Sequence, residues 1–139
     1  MNDLLNETIK NFELKENRPE EVNPLMLAYI GDAVYEVIIR TIVINSGNRD
    51  MKLINRDAIK YVKAPTQAKI AELLYEKFTE EEQKQYKRGR NAKSGTKAKN
   101  ATINDYRKAT GFEAVIGFLY LKNEIDRIVY LCKLGIESL

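Results

Sequence analysis

The sequence predicts an all-α protein, and two observations support this prediction. Apolar residues recur three and four positions apart in segment after segment, which is the spacing of one face of an α-helix. β-branched residues rarely alternate with polar ones, as they would in a half-buried strand. At 139 residues the chain is long enough to bury one sizeable core but too short for two. We therefore expect one helical domain over residues 1–139.

Start and stop residues place the helices of the first half. A short helix and a polar connection are expected within roughly the first 20 residues. The next helix should run over residues 23–45, because its opening Asn-Pro pair suits a first turn. The Ser-Gly-Asn sequence at 46–48 ends it, and a further helix is predicted over 50–62.

The same kinds of signal continue into the second half. Pro65 suits the first turn of a helix over 64–77. Thr79 begins a capping box, in which Glu82 can reach back to the start of a short helix. Residues 89–104 lack helical periodicity and are rich in small and polar types, so they predict a long loop. Loops of this length in small domains are usually functional or disordered.

Two helices should complete the chain. From residue 105 onward, apolar side chains form a clear buried stripe: Phe112, Val115, Ile116, Leu119 and Tyr120. The last helix is predicted over about 124–134, and Gly135 should end it in a left-handed cap.

Two acidic residues interrupt apolar helical segments. Asp32 lies within residues 25–39 and Glu113 within residues 110–120, and we expect apolar surroundings for both. A carboxylate in such a place needs a cation or a basic side chain to compensate for lost hydration. Gly31 and Gly117 are nearby, and small residues allow two helices to approach closely. The pair of acids is then a minimal site for a divalent cation, and a buried ion pair with arginine or lysine is the alternative.

Glu36 and Arg40 follow Asp32 at intervals of four residues and therefore share roughly its helix face. An intrahelical Glu36–Arg40 ion pair is the favoured interpretation. The alternative places Glu36 just outside the ligands of a metal.

Composition excludes several kinds of chemistry. The chain has no histidine, which excludes serine–histidine and cysteine–histidine nucleophile pairs and imidazole–zinc sites. Its one cysteine, Cys132, permits no internal disulfide and lies in an apolar run typical of a core. Carboxylates suit hard cations such as Mg²⁺ or Mn²⁺. We expect a cytoplasmic protein that does not enter a membrane, because no secretory leader or long apolar run is present.

Positive charge is concentrated in one segment. Residues 84–108 contain nine lysines and arginines and one acid, a local balance of +8, so the rest of a chain with net charge +3 sums to −5. This distribution favours binding of phosphates. A solvated loop without a ligand is the other interpretation.

Two motifs resemble a known family. Residues 27–32, Leu-Ala-Tyr-Ile-Gly-Asp, resemble the Leu-Glu-Phe-Leu-Gly-Asp motif of the ribonuclease III family, and residues 112–117, Phe-Glu-Ala-Val-Ile-Gly, resemble its second acidic motif. The small bacterial branch called Mini-ribonuclease III is more similar still. Its pattern is matched within residues 29–36, 66–68, 87–95 and 106–113. The resemblance covers about residues 24–134.

The resemblance implies a ribonuclease III endonuclease-domain helical fold, an obligate homodimer and Mg²⁺-dependent cleavage of double-stranded RNA, with Mn²⁺ as a possible substitute. Products would carry 5′-phosphate and 3′-hydroxyl ends. Asp32 and Glu113 take the two principal catalytic and metal-binding positions. Larger relatives carry two further acids where this chain has Ala28 and Thr110, so water and RNA oxygens would fill more of the metal's coordination. The implied natural substrate is a stem in the precursor of large-subunit (23S) ribosomal RNA.

Larger relatives also carry a separate domain for double-stranded RNA, for which this chain has no room. The catalytic domain is then expected to hold A-form RNA itself, through phosphate and 2′-hydroxyl contacts. The candidate RNA-binding residues are Lys87, Arg88, Arg90, Asn91, Lys93, Ser94, Lys97, Lys99, Arg107 and Lys108.

Two non-enzymatic interpretations stay open at this point. The chain could be a helical RNA-binding or ribosome-associated protein that keeps the fold without turnover, and Ala28 and Thr110 are the reason to consider it. It could also be a structural dimer module, in which Asp32 and Glu113 only pair with basic side chains.

Overall fold

In the parts of the chain that the structure describes, all regular structure is helical. The computed structural model describes residues 4–93 and 102–139. Within these ranges it has no strand, which confirms the all-α prediction, and no helix there is long and apolar enough to span a membrane. The helices are α1 (Leu4–Asn11), α2 (Pro24–Ile44), α3 (Met51–Val62), α4 (Ala64–Leu74), α5 (Glu80–Asn91), α6 (Ile103–Leu121) and α7 (Ile125–Glu137), with 3₁₀ turns at Pro19–Glu21 and Tyr75–Lys77.

The helix α6 forms the centre of the fold, with α2, α4 and α5 packed around it. From Ala109 to Leu119 every residue except Glu113 is buried. A helix that is apolar on all sides is stable only when other elements cover all of it. Glu113 is therefore the one place where this buried stretch presents a charged group.

Two glycines bring α2 and α6 into direct backbone contact. A Cβ atom built on Gly31 would lie 1.8 Å from the carbonyl oxygen of Glu113. One built on Gly117 would lie 1.9 Å from the carbonyl oxygen of Leu27. No side chain larger than hydrogen fits at either position without moving a helix. The close approach expected from these small residues is confirmed.

Capping side chains set the helix starts near their predicted places. The Asn23 side chain accepts a hydrogen bond from Leu25 N at 2.8 Å, and Pro24 opens α2. The capping box predicted from Thr79 is confirmed: Thr79 N donates to Glu82 Oε1 at 2.9 Å, and Glu82 N donates to Thr79 Oγ1 at 3.1 Å. These bonds satisfy backbone donors that lack partners within the helix.

The loop predicted over 89–104 is shorter at both ends. α5 continues to Asn91, and α6 begins at Ile103 with the Thr102 hydroxyl accepting from Asp105 N at 3.0 Å. Gly89 stays helical because it packs against α6, where an added Cβ would lie 2.7 Å from Ala114 Cβ. Residues 94–101 of this loop lie outside the described residues.

The prediction for Gly135 was wrong. It lies inside α7 rather than in a left-handed cap after it, and the helix continues to Glu137. Gly135 is buried against α4, and a Cβ there would lie 2.6 Å from Ile70 Cγ2. Close helix packing, rather than helix termination, accounts for this glycine.

Candidate active site

Asp32 on α2 and Glu113 on α6 lie side by side, because Gly31 touches the backbone of Glu113 itself. Their carboxyl groups are within hydrogen-bonding reach of each other. The structure thus brings together the two acids that stand 81 positions apart in the sequence. Their catalytic role stays a prediction.

Loss of hydration through burial is the largest influence on the pKa of Glu113, and it disfavours the charged form of the carboxyl. Together with a hydrogen bond to Asp32 and the negative charges of Asp32 and Glu36, it raises the pKa of the Glu113 carboxyl to about 9, against an opposing hydrogen bond from Gln67. Without a cation the site therefore resists having both acids ionised. Positive charge between them would remove that conflict.

Asp32 is exposed, which corrects the expectation of apolar surroundings for it. Several apolar neighbours that suggested burial are themselves exposed, among them Tyr29 at 81% and Val37 at 65%. α2 is rich in apolar residues on more than one face, and the other helices cover only one of those faces. Glu113 therefore needs a compensating charge for its lost hydration more than Asp32 does.

No lysine or arginine among residues 4–93 and 102–139 forms an ion pair with Asp32 or Glu113. In the same ranges, no three acidic or cysteine side chains cluster as metal ligands would. Ala28 and Thr110 are both buried, and the Thr110 hydroxyl donates to Tyr106 O at 3.0 Å within its own helix. Among the described residues, the groups at this place that could hold a cation are thus the two carboxylates.

The predicted Glu36–Arg40 pair is confirmed. Arg40 Nη2 and Nε donate to Glu36 Oε2 at 2.8 and 3.1 Å. Glu36 also contributes to the raised pKa of Glu113 through its negative charge. A role for Glu36 near a metal is compatible with this pair and stays a prediction.

Gln67 on α4 is a neighbour of Glu113 to which the sequence assigned no role. It is 2% exposed, and its Nε2 donates to Val62 O at 2.7 Å. The same amide hydrogen-bonds to the Glu113 carboxyl and favours its charged form. The match of Thr66, Gln67 and Ala68 to the family pattern was the available signal, but the match does not distinguish a buried glutamine from a surface one.

The last turns of α5 place part of the basic segment at the level of Glu113 along α6. Gly89 packs against Thr110, Gly111 and Ala114, so this end of α5 lies level with Glu113 along α6. Lys87, Asn91, Lys93 and Arg107 are exposed, and the Arg90 guanidinium lies 5.6 Å from the centre of the Tyr86 ring. Ser94, Lys97 and Lys99 lie outside the described residues.

Two basic residues of the predicted RNA-binding set are engaged within the fold. Arg88 donates to Val22 O at 3.0 Å, to Glu20 O at 3.3 Å and to Gln85 Oε1 at 2.6 Å. Lys108 forms an ion pair with Glu72, which raises the pKa of the lysine. Their contact with RNA is untested, and these bonds give both residues a structural use.

Comparisons with known proteins agree with the motifs. The ribonuclease III domain family matches residues 25–124. A Mini-ribonuclease 3 of Clostridium tetani is 52% identical over 120 residues, covering 85% of this chain and 79% of that protein. One from Staphylococcus aureus is 45% identical over 116 residues, covering 82% and 87%. A crystal structure of a Fusobacterium nucleatum protein has a TM-score of 0.77 and 28% identity, covering 85% of this chain and 94% of that one.

Proposed function

This chain belongs to the ribonuclease III family and is an endoribonuclease, and from that premise we propose that it cleaves double-stranded RNA with Mg²⁺ as cofactor. The observation that carries the proposal is the apposition of Asp32 and Glu113 where α2 and α6 touch. Paired acids next to a basic helix end suit a reaction on a phosphodiester.

The residues present fit a hard divalent cation. Asp32 and Glu113 offer oxygen ligands, and no histidine or thiolate ligand competes with them, since the chain has no histidine and Cys132 is buried. Burial of Glu113 beside Asp32 makes the doubly charged pair unfavourable until a cation arrives. Mn²⁺, which accepts the same ligands, is the expected substitute.

The proposed reaction is hydrolysis of a phosphodiester by water. Bound Mg²⁺ would supply positive charge that polarises the phosphate and acidifies water. Asp32 and Glu113 hold the cation, and the bond from phosphorus to the 3′ oxygen breaks, leaving 5′-phosphate and 3′-hydroxyl ends. No nucleophilic side chain is required.

We place the duplex across the α5 end and the start of α6. Lys87, Arg90, Asn91 and Lys93 would contact phosphates on one side of the acids, and Arg107 on the other. Arg88 and Lys108 would act mainly by supporting this surface, since their charged ends already bond to Val22 O and to Glu72 within the fold. Ser94, Lys97 and Lys99 are retained as candidates from the sequence.

A homodimer is proposed through an apolar face formed by α2 and α7. Its central members are Val37, Ile42 and Val129, which are 65%, 49% and 49% exposed. Grooves between the two helices continue this face, with linings that are mostly aliphatic. A contiguous exposed apolar surface favours a protein partner over water, and a two-fold axis lets the same surface cover itself. Two acidic sites would then act on the two strands of one duplex.

The natural substrate is proposed to be a double-stranded stem in the precursor of 23S ribosomal RNA, cut in the cytoplasm. The names of similar proteins support the reaction class and do not specify this stem. Cells that lack the gene should accumulate 23S ribosomal RNA with extended ends, and mature ends in such cells would contradict the assignment.

The decisive experiment compares Asp32→Asn, Glu113→Gln and the parent on a long RNA duplex, with Mg²⁺ or with a chelator. Both variants should lose cleavage while keeping the dimer and most RNA affinity, because each removes a charge that the cation requires. Glu16→Gln, a change of an exposed acid before α2, is the matched control and should cleave normally.

Cleavage by the parent only with Mg²⁺ supports the enzyme. Full activity in either site variant would overturn the assignment of the acids. RNA retention without cleavage would instead favour the non-catalytic RNA-binding protein, and neither retention nor cleavage would favour the structural module.

A further inference from the structure

A buried amide next to the paired acids has no explanation in packing alone. Gln67 is 2% exposed. It lies in the first turns of α4, near the α3–α4 corner, and the buried residues Ala68 and Ile70 follow it. An uncharged aliphatic side chain of similar length would fill this space without desolvating an amide. The protein therefore keeps an amide where an apolar side chain would also fill the space.

The amide has two polar neighbours. Gln67 Nε2 donates to Val62 O at 2.7 Å, at the end of α3, and the same side chain lies close enough to the Glu113 carboxyl to lower its pKa. The corner that carries it is held by a second bond, from the Thr66 hydroxyl to Lys60 O at 2.6 Å. The amide thus links Glu113 on α6 to a fixed point in the backbone of another element.

The oxygen of the Gln67 amide lacks a donor. Gln67 Oε1 is the single buried side-chain polar atom without a hydrogen-bond partner in the parts of the chain that the structure describes. Turning the amide around would not help, because it would point this oxygen at Val62 O, which is itself an acceptor. An unsatisfied acceptor is retained in a native core mainly where the rest of the group has a use.

We propose that Gln67 is a positioning residue that fixes the Glu113 carboxylate in the orientation a divalent cation needs. The inference rests on the proposed function, since it assumes that Glu113 binds the cation. A carboxylate can rotate about its last bond, and a donor anchored to the backbone of α3 restricts that rotation. Partners that orient metal ligands in this way typically contribute about 10- to 100-fold to metal affinity or activity.

Gln67→Met tests the proposal, because it keeps the length of the side chain and removes the donor. Mn²⁺ binding to the RNA-free protein is measured by calorimetry, and kcat and KM on a duplex are measured separately. We expect Mn²⁺ affinity and kcat to fall about tenfold or more, with KM for RNA nearly unchanged.

Gln83→Met is the matched control. Gln83 Nε2 also donates to a backbone carbonyl, Tyr75 O at 3.1 Å, in a part-buried setting away from the acids. This variant should lose some thermal stability and keep both Mn²⁺ affinity and kcat. If Gln67→Met fails to fold, Gln67→Asn takes its place, because its amide is one methylene too short to reach both acceptors.

The outcomes distinguish a failure of the positioning role of Gln67 from a failure of the proposed nuclease function. Mn²⁺ affinity and kcat within twofold of the parent in the folded Gln67 variant would overturn the positioning role and leave the nuclease intact. A parent protein that neither binds Mn²⁺ nor cleaves with it would instead overturn the proposed function. Equal losses in the Gln67 and Gln83 variants would mean that the effect is only structural, and would also overturn the role.

Discussion

Alanine at position 31 should damage the site by separating the two helices that carry it. A Cβ atom there would lie 1.8 Å from the Glu113 carbonyl oxygen and 2.7 Å from Gly117 N. Both contacts are with backbone, so no side-chain rotation can relieve them. Ordinary contact needs about 3.4 Å, so α2 and α6 must move apart by the difference, about 1.6 Å.

The stability cost follows from the same contact. Overpacking costs about 1–3 kcal/mol, and the higher helix propensity of alanine offsets roughly 1 kcal/mol. Because backbone must move, we take the upper end and expect a net loss of about 2 kcal/mol, which lowers Tm by roughly 8 °C. Asp32 follows Gly31 directly, so the separation of the carboxylates changes with that of the helices. A misplacement of about 1 Å can reduce turnover about 100-fold.

The assay measures kcat on an RNA duplex at a temperature at which circular dichroism shows every variant to be folded. Gly47→Ala is the matched control, because Gly47 has φ +80° and nothing lies within 4 Å of its added Cβ. It should lose stability through backbone strain and keep its turnover per folded molecule. A Gly31→Ala protein with the parent's Tm and kcat would refute the reasoning from helix contact.

Three further predictions concern RNA, assembly and pH. Lys87→Ala and Arg90→Ala should each reduce the slope of log affinity for duplex RNA against log salt by about 1, and unchanged slopes would remove α5 from the RNA surface. Val37→Glu should yield monomers in sedimentation velocity because it charges the apolar face, whereas Leu73→Glu on α4 should stay dimeric; a dimeric Val37 variant would place the contact elsewhere. In chelator, the free energy of unfolding should fall as pH rises from about 4.5 toward about 9, because folded Glu113 retains a proton that the unfolded chain has released. Urea unfolding at pH 8 should therefore show Glu113→Gln more stable than the parent, and equal stability would contradict the raised pKa of the partly buried Glu113.

Residue types within a few positions of one another were sufficient to predict most of the helices. Helix starts at Pro24 and after Thr79 depend on hydrogen bonds within a few residues, so their residue types could be recognised directly. Gly135 was misread because a glycine near a chain end is typical of a cap, whereas its actual use is contact with Ile70 on a distant helix. A sequence pattern contains the glycine but not the neighbour that requires it.

The sequence predicted which residues form the candidate site better than it predicted their surroundings. Asp32 and Glu113 were identified because acids are rare in apolar helices, and the structure places them together. Apolar neighbours in sequence did not imply burial of Asp32, since several of them lie on an uncovered face of α2. Arg88 resembled the other basic residues until its bonds to Glu20 and Val22 carbonyls distinguished it.

The sequence by itself determined the helical class, the family motifs, the absence of histidine chemistry and the two acids, because each depends on residue identity and short-range spacing. Tertiary structure alone decided which acid is shielded from water, which basic residues keep free donors, and that Gln67 reaches Glu113. These properties depend on which faces of separate helices meet. Backbone contact at Gly31 and Gly117 fixes how α2 and α6 pack, although the two helices are far apart in the chain.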